Sequence, residues 1–161
     1  MFDSALLARA EKLLADARAK KLKIVTAESC TGGLIAGLLT EIPGSSDVVE
    51  RGFVTYSNKA KEELICVPPQ ILESHGAVSE QTARAMAEGA LKHSHADIAV
   101  AVTGVAGPGG GTAAKPVGLV HIAAARDGTV MHRECRFGDI GRSQVRIKTV
   151  EAALEMLQSL V

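Results

Sequence analysis

Ser29, Ser46, Tyr56 and Lys61 are the residues whose types and placement can break a polar bond. A serine hydroxyl is a poor nucleophile until a base removes its proton, and a lysine can be that base if burial lowers its pKa toward neutrality. Lys61 is the best-placed lysine, Ser29 and Ser46 are both available hydroxyls, and Tyr56 can relay a proton or orient the lysine. Pattern alone favours a plainer reading, with Lys61 a solvated helix residue and the serines helix caps. Cys30 offers a second nucleophile, since a thiol at a helix N-terminus ionises more readily, although a small buried thiol is the plainer reading there. His75, His93, His95, His121 and His132 lie in loops, at a polar helix end or in hairpin strands, and none forms a spaced pair with another ligand type. A histidine triad therefore has less support, and each reads as a surface or core residue.

Ser29 sits in Thr26-Ala27-Glu28-Ser29-Cys30-Thr31-Gly32-Gly33, where the apolar run Lys23–Ala27 stops and the amphipathic run Leu34–Ile42 begins. This is a strand-to-helix turn that brings Ser29 and Thr31 near the free N–H groups of the next helix, where an anion or a developing oxyanion is stabilised. A second glycine-rich segment, Gly104–Gly111, contains Gly-Pro-Gly-Gly-Gly and follows an apolar run. It lacks the Gly-x-x-x-x-Gly-Lys-Ser/Thr order of a P-loop, which disfavours nucleoside triphosphate hydrolysis. Its backbone donors can still bind a monophosphate, with Arg142, Arg146 and Lys115 as countercharge unless the arginines form a merely solvated face.

The elements that must position these residues follow from periodicity. Residues 3–20 carry Leu6, Leu7, Ala10, Leu13, Leu14 and Ala17 at helical spacing, with Asp3 or Ser4 as cap. Helices are expected at Gly33–Glu41, from a Ser57 or Asn58 cap to about Ile65, from Pro68-Pro69 to about Ser74, from a Ser79 cap to about His93, and over Ile140–Leu160. Strands are expected at Lys23–Ala27, Arg51–Ser57 and Asp97–Thr103, and in a hairpin of Val117–Arg126 and Thr129–Phe137 around Asp127-Gly128. Alternating helices and strands with a late hairpin predict a three-layer α/β/α sandwich with a mixed, mostly parallel sheet, as one domain over residues 1–161. Ligands in such sheets gather at loops leaving strand C-termini, so the Ser29 turn, the Tyr56 junction and the Gly104 loop are expected to converge.

Composition narrows the partners. The 18 Lys+Arg balance the 18 Asp+Glu, and one Tyr, three Phe and no Trp offer no base-stacking platform, so nucleic acid is not an expected partner. The three cysteines are odd in number and widely spaced, unlike a disulfide framework or a zinc site, which suits a reducing compartment. No run reaches membrane-spanning length and residues 1–20 lack a leader pattern, so a cytoplasmic protein without a membrane partner is expected. A homo-oligomer stays open.

Taken together, Thr26–Gly33, Pro-Gly-Ser-Ser at Pro43–Ser46, Gly-Phe-Val-Thr-Tyr-Ser-Asn at Gly52–Asn58 with Lys61, Gly-Ala-Val-Ser at Gly76–Ser79, Thr-Gly-Val-Ala-Gly-Pro-Gly-Gly at Thr103–Gly110 and Lys-Pro-Val-Gly at Lys115–Gly118 resemble the CinA C-terminal domain family in its stand-alone, nicotinamide-nucleotide amidase form. The resemblance covers nearly the whole chain and does not extend to the nucleotide-processing N-terminal domain of full-length CinA. It implies hydrolysis of nicotinamide mononucleotide to nicotinate mononucleotide and ammonia, with no metal or cofactor. It also implies a serine–lysine site rather than a thiol one, which displaces the plainer reading of Lys61. On the matching positions it implies Ser46, Lys61, Tyr56 and Ser29 as the catalytic group, and Thr103, Gly104 and Arg142 as substrate-binding, beside which Thr31 and Gly32 of the strand-to-helix turn are also expected to bind substrate. The resemblance leans to Ser46 as nucleophile, whereas the exposed strand-to-helix elbow favours Ser29. The rival from another class is a non-catalytic module that binds a pyridine nucleotide or regulates.

Overall fold

Three side-chain caps start the helices that flank the sheet. In a computed structural model describing residues 1–161, Asp3 accepts from Leu6 N–H at 2.7 Å to open α1 (Ser4–Ala19). Ser57 accepts from Ala60 N–H at 3.0 Å to open α3 (Asn58–Ile65), and Ser79 accepts from Thr82 N–H at 3.1 Å to open α5 (Glu80–Lys92). Each cap satisfies one of the N–H groups that a helix leaves free at its start. The remaining helices are α2 (Leu34–Glu41), α4 (Pro69–His75) and α6 (Arg142–Leu160).

The strands β1 (Ile24–Glu28), β2 (Val49–Val54), β3 (Ile98–Gly104), β4 (Leu119–Arg126) and β5 (Thr129–Arg136) form one sheet in the order β2-β1-β3-β4-β5. β2, β1 and β3 run parallel, whereas β3-β4 and β4-β5 are antiparallel, so the sheet is mixed with its parallel character confined to one half. One face carries α1, α2 and α6 over Ile24, Val100, Val102 and Ile122. The other carries α3, α4 and α5 over Val25, Ala27, Ala99, Ala101 and Ala123. The unbroken burial of β1 and of β3 up to Thr103 follows from this double cover. No helix is long and apolar enough to cross a membrane.

Two of the boundaries that differ from the sequence expectation bear on the site. β2 spans Val49–Val54 rather than Arg51–Ser57, because Thr55 and Tyr56 turn their carbonyls toward Lys61 and Ser57 serves as a cap. α6 starts at Arg142 rather than Ile140, since Gly138 and Gly141 hold φ of 78° and 93° and break the approach to the helix.

Candidate active site

β1 ends in Glu28, a fully buried carboxylate at the mouth of α2. It accepts from Thr31 Oγ1 at 2.6 Å, from Ile35 N–H at 2.8 Å and from Ala36 N–H at 3.0 Å. The N-terminus of α2 is thus filled by the protein's own anion, and the expectation that these amides would hold a ligand or oxyanion is corrected. Glu28 escaped sequence reasoning; its only signal was a carboxylate at the end of an apolar run, three residues before a hydroxyl. Thr31 is fully buried against Glu28, and Gly32, with φ of 59°, makes the turn beside Arg146, so neither lines the cleft described below. Arg146 braces this turn from α6 through the carbonyls of Cys30 and Thr31 at 3.2 and 2.9 Å.

Fixed on that turn, Ser29 meets Lys61. Lys61 Nζ lies 3.1 Å from Ser29 Oγ, 2.9 Å from the Thr55 carbonyl and 3.5 Å from the Tyr56 carbonyl. The lysine is 1% exposed, and desolvation by burial holds its pKa below the ordinary lysine value. Once deprotonated, the amine has two N–H donors for the two carbonyls and a lone pair to accept from the Ser29 hydroxyl. The solvated-lysine reading is therefore corrected. The pair came together because α3, capped by Ser57, starts where β2 ends, next to the C-terminal end of β1. The Thr55 hydroxyl, beside the carbonyl that holds the amine, is the one buried side-chain polar atom without a hydrogen-bond partner.

Ser29 and Lys61 open into a cleft of about 300 Å³ lined by Tyr56, Thr103, Gly104, the 105–110 loop and Arg142, among others. Tyr56 is exposed, and its hydroxyl accepts from Arg142 Nη2 at 2.8 Å, while Nη1 of the same guanidinium donates to the Gly107 carbonyl at 2.9 Å. Thr103 fastens the opposite wall through its hydroxyl to the Ala77 carbonyl at 2.7 Å. A Cβ at Gly104 would lie 2.6 Å from Val120 Cγ2, so the glycine lets the strand end rest directly on β4. The amides of Ala106, Gly107, Gly109 and Gly110 donate to no protein acceptor, and this leaves the cleft a row of free N–H groups suited to an anion. Lys115 is turned away to the His75 carbonyl at 2.6 Å.

Two of the expected participants stand elsewhere or behave differently. Ser46 lies in a short turn, Ser45–Asp47, that precedes β2, and parallel pairing puts the start of β2 beside the start of β1. The length of a five-residue strand, about 17 Å, separates that edge from the one carrying Ser29. Ser46 is exposed there and is not brought to Lys61. Cys30 does line the cleft, but burial pushes its thiol up to about 12, contrary to the activation expected of a helix N-terminus.

A family model for the CinA C-terminal domain matches residues 7–161. A putative competence-damage inducible protein of Caldicellulosiruptor bescii is 55% identical over 143 residues, 88% of this chain and 34% of that protein. A CinA-like protein of Syntrophus aciditrophicus is 55% identical over 141 residues, 86% and 33% respectively, so the chain spans about a third of the length of these relatives. Among solved structures, a competence/damage inducible protein from Agrobacterium tumefaciens matches with a TM-score of 0.98 at 56% identity, covering 99% of this chain and 98% of that one. A competence damage-inducible protein from Klebsiella pneumoniae matches with a TM-score of 0.91 at 33% identity, covering 96% and 95%.

Proposed function

The chain belongs to the family of CinA C-terminal domains, and from that premise we propose that it is an amidase that converts nicotinamide mononucleotide to nicotinate mononucleotide and ammonia. The observation that carries the chemistry is the buried lysine amine 3.1 Å from a serine hydroxyl at the floor of a cleft. The choice of nicotinamide mononucleotide rests on the motif resemblance. An anion-binding loop and an arginine at the cleft rim are compatible with a phosphorylated ligand.

In this reading Lys61 takes the Ser29 proton as Oγ attacks the carboxamide carbon. The developing oxyanion is held by backbone N–H groups, for which the amide of Cys30, next to the nucleophile and without a backbone acceptor, is a candidate donor. The Lys61 ammonium then protonates the departing nitrogen and ammonia leaves an ester on Ser29. Water, deprotonated by the same amine, opens the ester to release the carboxylate product. Arg142 and the amides of Gly107, Gly109 and Gly110 hold the phosphate.

The test is ammonia release from nicotinamide mononucleotide by the pure protein, with Ser29→Ala and Lys61→Ala beside it. Release that both substitutions abolish supports the amidase. Binding of the nucleotide with no release at any protein concentration would replace it by the non-catalytic module.

A further inference from the structure

Away from the cleft, α3 and α5 end side by side. A Cβ at Gly89 would lie 2.0 Å from the Ile65 carbonyl oxygen, so the glycine is what lets the last turn of α3 rest on α5. That approach places Cys66, the left-handed residue that ends α3 with φ of 53°, against His93, which ends α5. Cys66 Sγ lies 3.4 Å from His93 Nε2, and His93 Nδ1 lies 2.8 Å from the Gly89 carbonyl. A carbonyl only accepts, so Nδ1 carries a proton, and Nε2 is the ring nitrogen placed to accept from the thiol. The result is a nucleophile with a base already oriented by a third group.

Two further observations single out this pair. Cys66 is the exposed cysteine, whereas burial pushes the Cys30 and Cys135 thiols up. Cys66 and His93 also border a surface cavity of about 220 Å³ with Pro68, Ile71 and Ala85 in its apolar wall and Glu88 and Lys92 as its charges. An apolar pocket with one anion and one cation suits a short chain that carries an ammonium and a carboxylate.

We infer that Cys66 and His93 form a reactive-thiol site, separate from the cleft, which takes small disulfides bearing amino-acid groups by thiol–disulfide exchange. The Cys66 proton passes to His93 Nε2 and the thiolate sulfur attacks one sulfur of the disulfide. A new bond joins Cys66 to that half, the original sulfur–sulfur bond breaks, and the leaving thiolate regains the proton from His93. One thiol is oxidised to a mixed disulfide and one half of the reagent is reduced to a thiol.

The experiment incubates the whole chain at pH 7 with cystine, or with uncharged bis(2-hydroxyethyl) disulfide, and follows adducts by intact mass and peptide mapping. One adduct is expected, at Cys66, forming at least about tenfold faster than on a free cysteine derivative in the same buffer. Cystine should outrun the uncharged reagent. His93→Gln should slow the reaction about tenfold, Cys66→Ser should abolish it, and Cys66→Ser should leave ammonia release unchanged. A folded His93→Gln variant reacting at the original rate overturns the inference, as does prior modification of Cys30 or Cys135. A Cys66 no faster than the free thiol overturns it even where the variant fails to fold. Equal rates for the two reagents overturn the recognition of amino-acid groups.

Discussion

Lys61→Met keeps an unbranched side chain of similar length and removes the amine, which separates what the residue does from the space it fills. Removing a general base lowers turnover about 10²–10⁴-fold, or roughly 3–5 kcal/mol of transition-state stabilisation. Stability should move far less. The substitution leaves the Thr55 carbonyl without its 2.9 Å donor, and an orphaned buried acceptor costs about 1–3 kcal/mol. Relief of the amine's own burial offsets that loss, because Lys61 is 1% exposed and desolvation is the main cause of its lowered pKa. A net change of up to about 2 kcal/mol shifts Tm by less than roughly 8 °C in a chain of this size. Between the folded pKa of Lys61 and its ordinary value of 10.5, the unfolded chain holds a proton that the folded chain lacks. Stability of the unsubstituted protein therefore gains from Lys61 as pH rises through that window, and the Lys61→Met curve lacks the gain. Turnover should rise with pH over the same titration and level off once the amine is neutral. The assay is ammonia release and thermal unfolding from pH 7 to 10 for the unsubstituted protein, Lys61→Met and Lys61→Arg. Folded Lys61→Arg working within about tenfold of the original rate would refute proton abstraction by this residue, since a guanidinium stays protonated.

Ser29→Ala should lose at least about a hundredfold in turnover, whereas Ser46→Ala and Cys30→Ala should each keep a large share, because one is at the far edge of the sheet and the other is a protonated thiol; steady-state kinetics of the three decides. Glu28→Ala orphans the Thr31 hydroxyl and two amides of α2, for a loss of at least about 3 kcal/mol and a Tm lowered by roughly 6 °C or more, with Glu28→Gln milder. Arg142→Ala should raise KM for nicotinamide mononucleotide more than it lowers kcat, since the guanidinium is at the cleft rim and not at the Ser29–Lys61 contact. Chelator should leave ammonia release unchanged, because no three His, Cys, Asp or Glu side chains converge in ligand geometry; loss with EDTA that a divalent metal restores would contradict this.

What the sequence revealed depended on how local the physics was. Asp3, Ser57 and Ser79 act within three residues, so their caps were readable. The Asp127-Gly128 pair fixes its own turn through φ of 51° and 78°. The Ser29 and Lys61 neighbourhood was accessible as an expectation about strand ends, yet their contact, across 32 positions, depends on the pairing of β1 with β2. Ser46 shows the opposite case. Its hydroxyl resembles a site residue by type, but a residue between α2 and a parallel β2 must return to the opposite sheet edge. Arg142 and Arg146 share a helix face, and only the fold assigns one to the cleft and the other to the Ser29 turn. The Cys66–His93 contact rests on Gly89, a glycine inside a helix whose purpose shows only once α3 lies on it.

The antiparallel half of the sheet has a practical consequence for engineering. β4 leaves the cleft edge beside Gly104 and runs to the opposite edge before the chain reverses at Asp127-Gly128. Both turn residues are exposed, and a side chain at position 128 would meet no heavy atom within 4 Å. A fluorescent protein or an affinity handle inserted there would sit at the opposite end of the sheet from Ser29, Lys61 and Arg142. The reversal is thus a place to attach reporters or surfaces to this domain while both walls of the cleft remain open.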